Sequence, residues 1–505
     1  MLKIRLSDED LFGNEAAEDE RQDVFDAYAY SRSEVDRFCD DARPIQIVRA
    51  YKGEGKSALM RIAKSRIDAT RTNEAFSIDS NGPALSPDVE GTDFAKWVRA
   101  WMTSIMTLAA GEIGARIGFA WKDDAIALVE LAEQNGLRAR NLVSTIVDRL
   151  KSSAVPLERT RQPPADPAKT IKRWQKNAPD VWVFIDDIDR NFDGSKRDEV
   201  RVAAFFEACR TLIRQVDSVR FRLAVRPNTW TTIKRGFEGM SHLEQYLCDL
   251  KWSEHDMLVL LSKRIEGYVR RTNQLETIVR AMPIDDEQRL RFFVGLAFQT
   301  PVEWSGRERP IHVPLDTLSM HRPRWLVELC RVSSRHAAKR GAEKIELAAD
   351  VFSQLDAFGD RRLDDTVAEF KVQCPQIAEV LDGFRAQSEQ YLTADLLQLI
   401  ENRILNHVPV RFPAGPQKVG HRDVAAFLFQ IGFIYARKDY DDGSYEHIGF
   451  ADQPSLLTSR SDTDSGCSWE IPPVFRQALD LRTPEGFERP VVSKKRKPKR
   501  VVVKS

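Results

Sequence analysis

The run Ala50-Tyr51-Lys52-Gly53-Glu54-Gly55-Lys56-Ser57 combines glycines, a lysine and a hydroxyl at a spacing suited to holding a chain of phosphates. Glycines let consecutive backbone N–H groups approach an anion closely, and a helix starting at the end of the loop adds the positive end of its dipole. Here Gly53 and Gly55 supply that backbone, Lys56 is placed to reach the outer phosphates as a point charge, and the Ser57 hydroxyl is a ligand for Mg²⁺. A helix from Ala58 to Ile67 is expected to follow. The pattern G-x-x-x-x-G-K-[ST] is met everywhere but at its first position, where Ala50 stands. Alanine resists positive φ, so the entry to the loop must use ordinary backbone or carry strain. The ligands implied are ATP and Mg²⁺.

A second stretch, Val181-Trp182-Val183-Phe184-Ile185-Asp186-Asp187-Ile188-Asp189-Arg190, ends an apolar run in carboxylates. Such a run indicates a central strand buried on both faces, and open α/β sheets bind ligands at the C-terminal ends of their strands. Asp186 is the candidate for holding Mg²⁺ through water, and Asp187 for orienting the water that attacks a γ-phosphate. The competing reading is a helix cap in a solvated charge cluster. Arg190 is open to two uses, charge stabilisation in a neighbouring subunit or an ordinary salt bridge. After a further apolar run, Phe221 to Val225, either Arg226 or Asn228 is the candidate polar group at the γ-phosphate, against a bland role capping the next helix.

These residues need a scaffold, and the chain shows one. Apolar runs at Ile45 to Val48, Ala75 to Ile78, Val181 to Ile185, Phe221 to Val225 and Tyr246 to Leu250 alternate with helical stretches, the rhythm of a mostly parallel sheet covered by helices. A long helical stretch from Phe94 to Lys151 carries Trp97, Trp101, Ile105 and Leu108 at packing intervals, and a polar, Pro-rich loop around Arg159 to Lys169 follows. After Trp252 come helices at Met257 to Thr272, Asp286 to Phe298 and Arg324 to Arg340, with no strand-like run between them. From Thr393 the order is helix (Asp395 to Leu405), helix (Arg422 to Gln430) and a hairpin turning at Asp441-Asp442-Gly443, which is the order of a winged helix. The expected division is 1–40 as a segment packing on the ATPase core, 41–252 as that core with a helical insertion at about 93–165, 253–345 as a helical lid, 346–487 as a winged-helix-like domain, and 488–505 as a disordered basic tail.

Bulk properties set limits. The 505 residues are 42% hydrophobic and 30% charged, an ordinary globular composition with room for several domains. Lys and Arg number 76, as do Asp and Glu, so no whole-molecule field draws the chain to nucleic acid or membrane. Seven basic residues and no acid lie between Lys494 and Lys504, which makes that tail a candidate for sequence-independent contact with phosphate backbones, or else a solubilising end. The six cysteines are scattered without metal-ligand spacing and read as reduced thiols. No window approaches the roughly 18 apolar residues of a membrane span, so a cytoplasmic protein with no membrane partner is expected.

Three stretches resemble a bacterial P-loop ATPase family allied to the KAP and STAND classes, in the additional-strand branch that includes AAA+ proteins. They are Leu11-Phe12-Gly13-Asn14-Glu15-Ala16-Ala17-Glu18-Asp19-Glu20, the Lys-Gly-x-Gly-Lys-Ser-Ala-Leu form of the loop, and Phe184 to Arg190. The resemblance implies an α/β P-loop NTPase with a parallel sheet of order 5-1-4-3-2, a helical insertion, a helical lid and a C-terminal winged-helix-like domain. It further implies that Arg324, at the start of the lid helix in His321-Arg322-Pro323-Arg324-Trp325-Leu326, senses the γ-phosphate, and that Gly13-Asn14 lie against the nucleotide base. The activity implied is that of a regulatory ATPase, a homo-oligomer or the companion of an effector protein, in bacterial conflict systems such as antiphage defence. Two alternatives stand beside it: a DNA-dependent remodelling or loading ATPase, and a nucleotide-bound scaffold with little hydrolysis. The helix Arg422 to Gln430 is mostly apolar and carries Asp423, which makes it a poor groove reader and favours a winged helix that packs back on the ATPase.

Overall fold

The computed structural model describes residues 4–30, 32–70, 75–116, 127–129, 131–132, 167–174, 180–304, 306–457, 466–487 and 490–492. Residues 493–505 of the basic tail, most of the stretch from 117 to 166 and the Pro-rich loop up to 166 lie outside them. Two expectations need correction where they reach described residues: Val491 and Val492, placed in a disordered tail, form a short strand in parallel with Asp439 and Tyr440, and the loop ends early because a helix runs over Pro167–Trp174. The described residues fall into two compact units, one within 29–251 together with 17–19, the other within 1–16, 20–28 and 252–505.

The first unit is a five-stranded parallel sheet formed by β1 (Ile45–Arg49), β2 (Ala75–Asn81), β3 (Asp180–Asp186), β4 (Val219–Val225) and β5 (Leu247–Asp249). Its spatial order is β2-β3-β4-β1-β5, the expected 5-1-4-3-2 read from the other edge. Each expected apolar run became a strand, and the apolar runs are most continuous in the central ones, because a strand flanked on both sides and covered on both faces buries nearly every side chain. Val181, Trp182, Val183, Phe184 and Ile185 of β3 are all buried.

Helices cover both faces. Helix α1 (Ser33–Cys39) and helix α2 (Lys56–Thr70) enclose one core, where Val35 and Phe38 meet Leu59, Met60, Ala63, Trp182 and Phe184. On the other face, helix α3 (Phe94–Arg116) packs on helix α4 (Lys196–Gln215), with the Trp101 and Phe205 rings edge to face at 5.1 Å. The tryptophans at packing intervals are thus core residues, as the periodicity implied.

Arg222, in the middle of β4, is fully buried, and among the described residues no carboxylate forms an ion pair with it. It donates to the carbonyls of Phe38, Asp40, Arg43 and Phe221 and lies 4.3 Å from the Trp182 ring centre. Burial pushes its pKa down to about 9, so it remains a cation at neutral pH. It ties the turn after α1 to the sheet.

The second unit is largely helical. Helices α5 (Glu254–Arg271), α6 (Asp286–Ala297), α7 (His312–Leu318), α8 (Pro323–Lys339) and α9 (Leu355–Phe370) share one apolar core with the C-terminal elements. The expectation of a purely helical 257–340 needs correction, because Val302–Trp304 and Arg307–Arg309 pair as a short antiparallel hairpin, β6–β7. Three-residue strands are too short to leave a readable alternation.

Further on, helix α10 (Thr393–Leu399), continued by a π-helix at Ile400–Leu405, precedes helix α11 (His421–Gln430). A hairpin of β9 (Tyr435–Tyr440) and β10 (Tyr445–Ile448) follows, turning at Gly443. Two strands beyond the expected order, β8 (Gln390–Leu392) and β11 (Ser468–Glu470), extend the sheet to β10-β9-β11-β8. Residues 1–40, read as a segment on the ATPase core, are divided. Leu6, Leu11 and Phe12 enter the core of the second unit, whereas Val35 and Phe38 of α1 enter the first. Among the described residues no helix is long and apolar enough to cross a membrane.

Candidate nucleotide site

The loop between β1 and α2 has the backbone its residues allow. Gly53 and Gly55 take φ of +85° and +92°, whereas Ala50 stays out of the left-handed region and continues the ladder by donating its N–H to the Val225 carbonyl. Ordinary backbone at the missing glycine resolves the question raised by Ala50. Helix α2 begins at Lys56, two residues earlier than expected, so Lys56, Ser57 and Ala58 all belong to its first turn, where N–H groups lack intrahelical partners. The Lys56 ammonium is buried and donates to the carbonyls of Ala50 (3.1 Å) and Tyr51 (3.2 Å). Within the loop, Tyr51 donates its N–H to the Glu54 carboxylate at 2.6 Å, while Lys52 is half-buried.

Opposite the loop stands the end of β3. The Ser57 hydroxyl donates to Asp186 Oδ2 at 2.7 Å, which joins the loop and the acidic strand directly. Asp187, next along, adopts φ +55° and donates its N–H to Asp186 Oδ1. Its carboxyl pKa is raised, first by burial and then by the Asp186 charge, with Lys56 and Arg226 pulling the other way. The turn is held from below. A Cβ added at Gly82, just after β2, would fall 2.3 Å from the Ile188 Cα and 2.8 Å from the Asp187 carbonyl oxygen, and Arg201 of α4 donates to the Ile188 carbonyl.

From the neighbouring strand β4, Arg226 stands at the N-cap of the helix Pro227–Gly236 and makes no side-chain bond to it. The Arg226 side chain therefore does not serve the capping role weighed from sequence. Asn228, in the first turn of the same helix, is buried, and its Oδ1 has no hydrogen-bond partner among the described residues. An orphaned buried amide oxygen costs free energy unless something outside the chain uses the group.

The remaining sequence candidates belong to the second unit. Arg324 is half-buried in the first turn of α8, and among the described residues no carboxylate forms an ion pair with it. Gly13, at φ +68°, and Asn14 are clasped by a buried polar cluster. Arg264 donates to the Phe12 and Asn14 carbonyls, and Glu20 accepts from the Asn14 N–H and from the Tyr28 hydroxyl at 3.3 Å. Sequence reasoning missed Gly82 and Arg201, and it quoted Asp189 in the acidic stretch without giving it a role. Of the first two, only Gly82 carried a mark in the sequence, the Gly-Pro step at Gly82-Pro83, and it marks a helix start rather than a contact.

The glycine-turn loop between β1 and α2, the acids closing β3 and the 5-1-4-3-2 sheet together define an α/β P-loop NTPase fold of the additional-strand branch, followed by a helical C-terminal unit. Among solved structures the chain is similar to the Aeropyrum pernix ORC2 protein in ADPNP–ADP complexes, at 11% identity, covering 94% of this chain and 96% of that one with a TM-score of 0.39. It is also similar to a Walker-type ATPase of Pyrococcus abyssi (12% identity, 85% and 96% covered, TM-score 0.38) and to Cdc6p of Pyrobaculum aerophilum (9%, 92% and 99%, TM-score 0.32). No family model and no curated protein matches the chain. The reading of the site rests on its own residues.

Proposed function

We propose that the chain binds ATP with Mg²⁺ in the cradle between the loop at 50–57 and the end of β3, and hydrolyses it to drive a conformational switch. The observation that carries this is the 2.7 Å bond from Ser57 Oγ to Asp186 Oδ2, because a hydroxyl and a carboxylate that close can serve one cation and its waters. The donor set fits a hard divalent ion, being all oxygen, and the left-handed glycines with the first turn of α2 fit phosphate.

In this reading Ser57, and Asp186 through water, hold Mg²⁺, which when bound neutralises phosphate charge. Gly53, Glu54, Gly55, Lys56, Ser57 and Ala58 offer N–H groups to the phosphates, and Tyr51 and Lys52 complete the turn. Lys56 exchanges its carbonyl partners for phosphate oxygens. Asp187 orients and polarises the attacking water, and its raised pKa suits a group that takes up a proton. Asn228, with Arg226 beside it, contacts the γ-phosphate. Arg324 and the Gly13-Asn14 turn extend the proposal as a γ-phosphate sensor and a base contact.

Hydrolysis or exchange would then reset the lid, with oligomerisation or an effector partner reading the state. The conflict-system setting is part of this proposal and follows from the resemblance alone.

The test is Lys56→Ala in equilibrium binding and steady-state hydrolysis. Binding of ATP with Mg²⁺ is expected to weaken by about a hundredfold, since a charge-assisted contact to the outer phosphates is lost. A variant that binds and turns over ATP like the wild type would remove the proposal.

A further inference from the structure

Asp189 is a carboxylate only 1% exposed, lodged two residues beyond Asp187. A buried charge needs compensation, and what it finds there is informative. Its Oδ2 accepts the backbone N–H of Arg226 at 2.7 Å, and its Oδ1 lies 3.9 Å from Arg226 Nε. Arg226 is the last residue before the helix that carries Asn228. The bond therefore spans two turns that leave adjacent parallel strands side by side, β3 and β4 being paired from Val181 with Val219 to Ile185 with Leu223.

The turn after β3 is otherwise braced from the opposite side, by the Gly82 backbone and by Arg201 on the Ile188 carbonyl. Asp189 supplies the brace toward β4. Because the bond reaches a backbone N–H, it fixes the short, buried Asp189 side chain to main chain, with no flexible side chain on the Arg226 side.

We propose that Asp189 is a positioning residue that locks the turn bearing Asp187 to the turn bearing Arg226 and Asn228, so that the acid facing the water and the amide facing the γ-phosphate keep one spacing. This rests on the ATPase reading above. Asp189 touches neither phosphate nor water in this role. Its effect is on turnover, because an ångström of misplacement between reacting groups costs rate while the loop at 50–57 still holds the nucleotide.

The test compares Asp189→Ala and Asp189→Asn in the full chain by three readouts: steady-state ATP hydrolysis, binding of a non-hydrolysable ATP analogue, and amide hydrogen exchange across 224–230. Alanine is expected to lower kcat by about a hundredfold with analogue affinity within about threefold of wild type. Asparagine keeps an oxygen acceptor for the Arg226 N–H and is expected to recover kcat to within about fivefold. Exchange at Arg226 should be slow in wild type and in the asparagine variant and fast in the alanine variant.

Should alanine prevent folding, Asp189→Ser, whose short hydroxyl leaves the gap unspanned, carries the same expectation. Alanine turnover equal to wild type, or binding and turnover falling in step, or no rescue by asparagine, overturns the proposal. A wild type that neither binds nor hydrolyses ATP removes the functional reading instead, and the exchange pattern then still reports whether Asp189 joins the two turns.

Discussion

At the carboxyl end of the parallel sheet several polar groups are left open, whereas the charged groups on the antiparallel sheet of the C-terminal unit close on one another. Among the described residues Asn228 Oδ1 has no hydrogen-bond partner, Asp187 is desolvated beside the like charge of Asp186, and Lys56 rests on two carbonyls without a carboxylate ion pair. Glu470 of β11, by contrast, accepts from Arg437 at 3.3 Å and from His447 at 3.0 Å. Nearby Arg476 pairs with Glu389 at 2.9 Å and also donates to the Ile471 carbonyl. Both regions bury charge. The closed network holds a fold together, and the open one keeps unfavourable groups in place, which is what the proposed nucleotide site requires.

The comparison breaks most visibly at Asp187. Asp187→Asn should lower ATP turnover by about a hundredfold or more, the usual size of a general-base contribution, with analogue binding retained. Thermal unfolding of the same variant should show equal or greater stability, because the neutral amide relieves burial of a charge beside Asp186. A variant that loses stability while keeping turnover would place Asp187 among the closed, structural groups.

Glu470→Ala tests the other side and is the next largest effect. It leaves Arg437 and His447 facing a gap in a buried network, and a loss of about 3 kcal/mol in unfolding free energy is expected. Turnover per folded molecule should not change. A stability within about 0.5 kcal/mol of wild type, the range of ordinary surface changes, would mean the network is slack.

How much of this was legible in the sequence follows from the range of each interaction. The loop at 50–57 and the acids at 186–187 are local patterns, written in consecutive residues beside strand-like apolar runs, and they came together in space as those runs required. The sheet order was implied by resemblance, since periodicity finds strands but does not rank them.

Asp189 and Arg226 lie 37 positions apart, and their bond depends on β3 and β4 being neighbours, which no spacing announces. Arg222 sat inside an apolar run, and only the approach of α1 explains how a guanidinium is satisfied there. Strands β8 and β11, at three residues each, are made by pairing, β11 with β9 and β8 with β11, rather than by any alternation of their own. Most of the first 28 residues divide from α1 because apolar side chains such as Leu6, Leu11 and Phe12 fit a core built mostly from residues beyond 252, a contact of very high sequence separation.

The smallest expected effect sharpens the comparison through pH. Burial alone would raise the Glu470 pKa, but the His447 hydrogen bond and the charges of His447, Arg437 and Arg476 outweigh it and hold the carboxyl below its ordinary value of 4.5. A carboxylate with a depressed folded-state pKa contributes stability that is fully present above the unfolded value and is lost as pH falls through the folded one. The stability difference between wild type and Glu470→Gln should therefore be constant from neutral pH down to about 4.5 and shrink below it. Asp187 predicts the opposite trend, since its pKa is raised: the Asp187→Asn advantage should be largest at neutral pH and vanish as acid protonates the wild-type carboxyl. Chemical denaturation of the three proteins across pH 7 to 3 reads both slopes at once. Two curves of the same sign would mean that open and closed burial of charge do not differ in this protein.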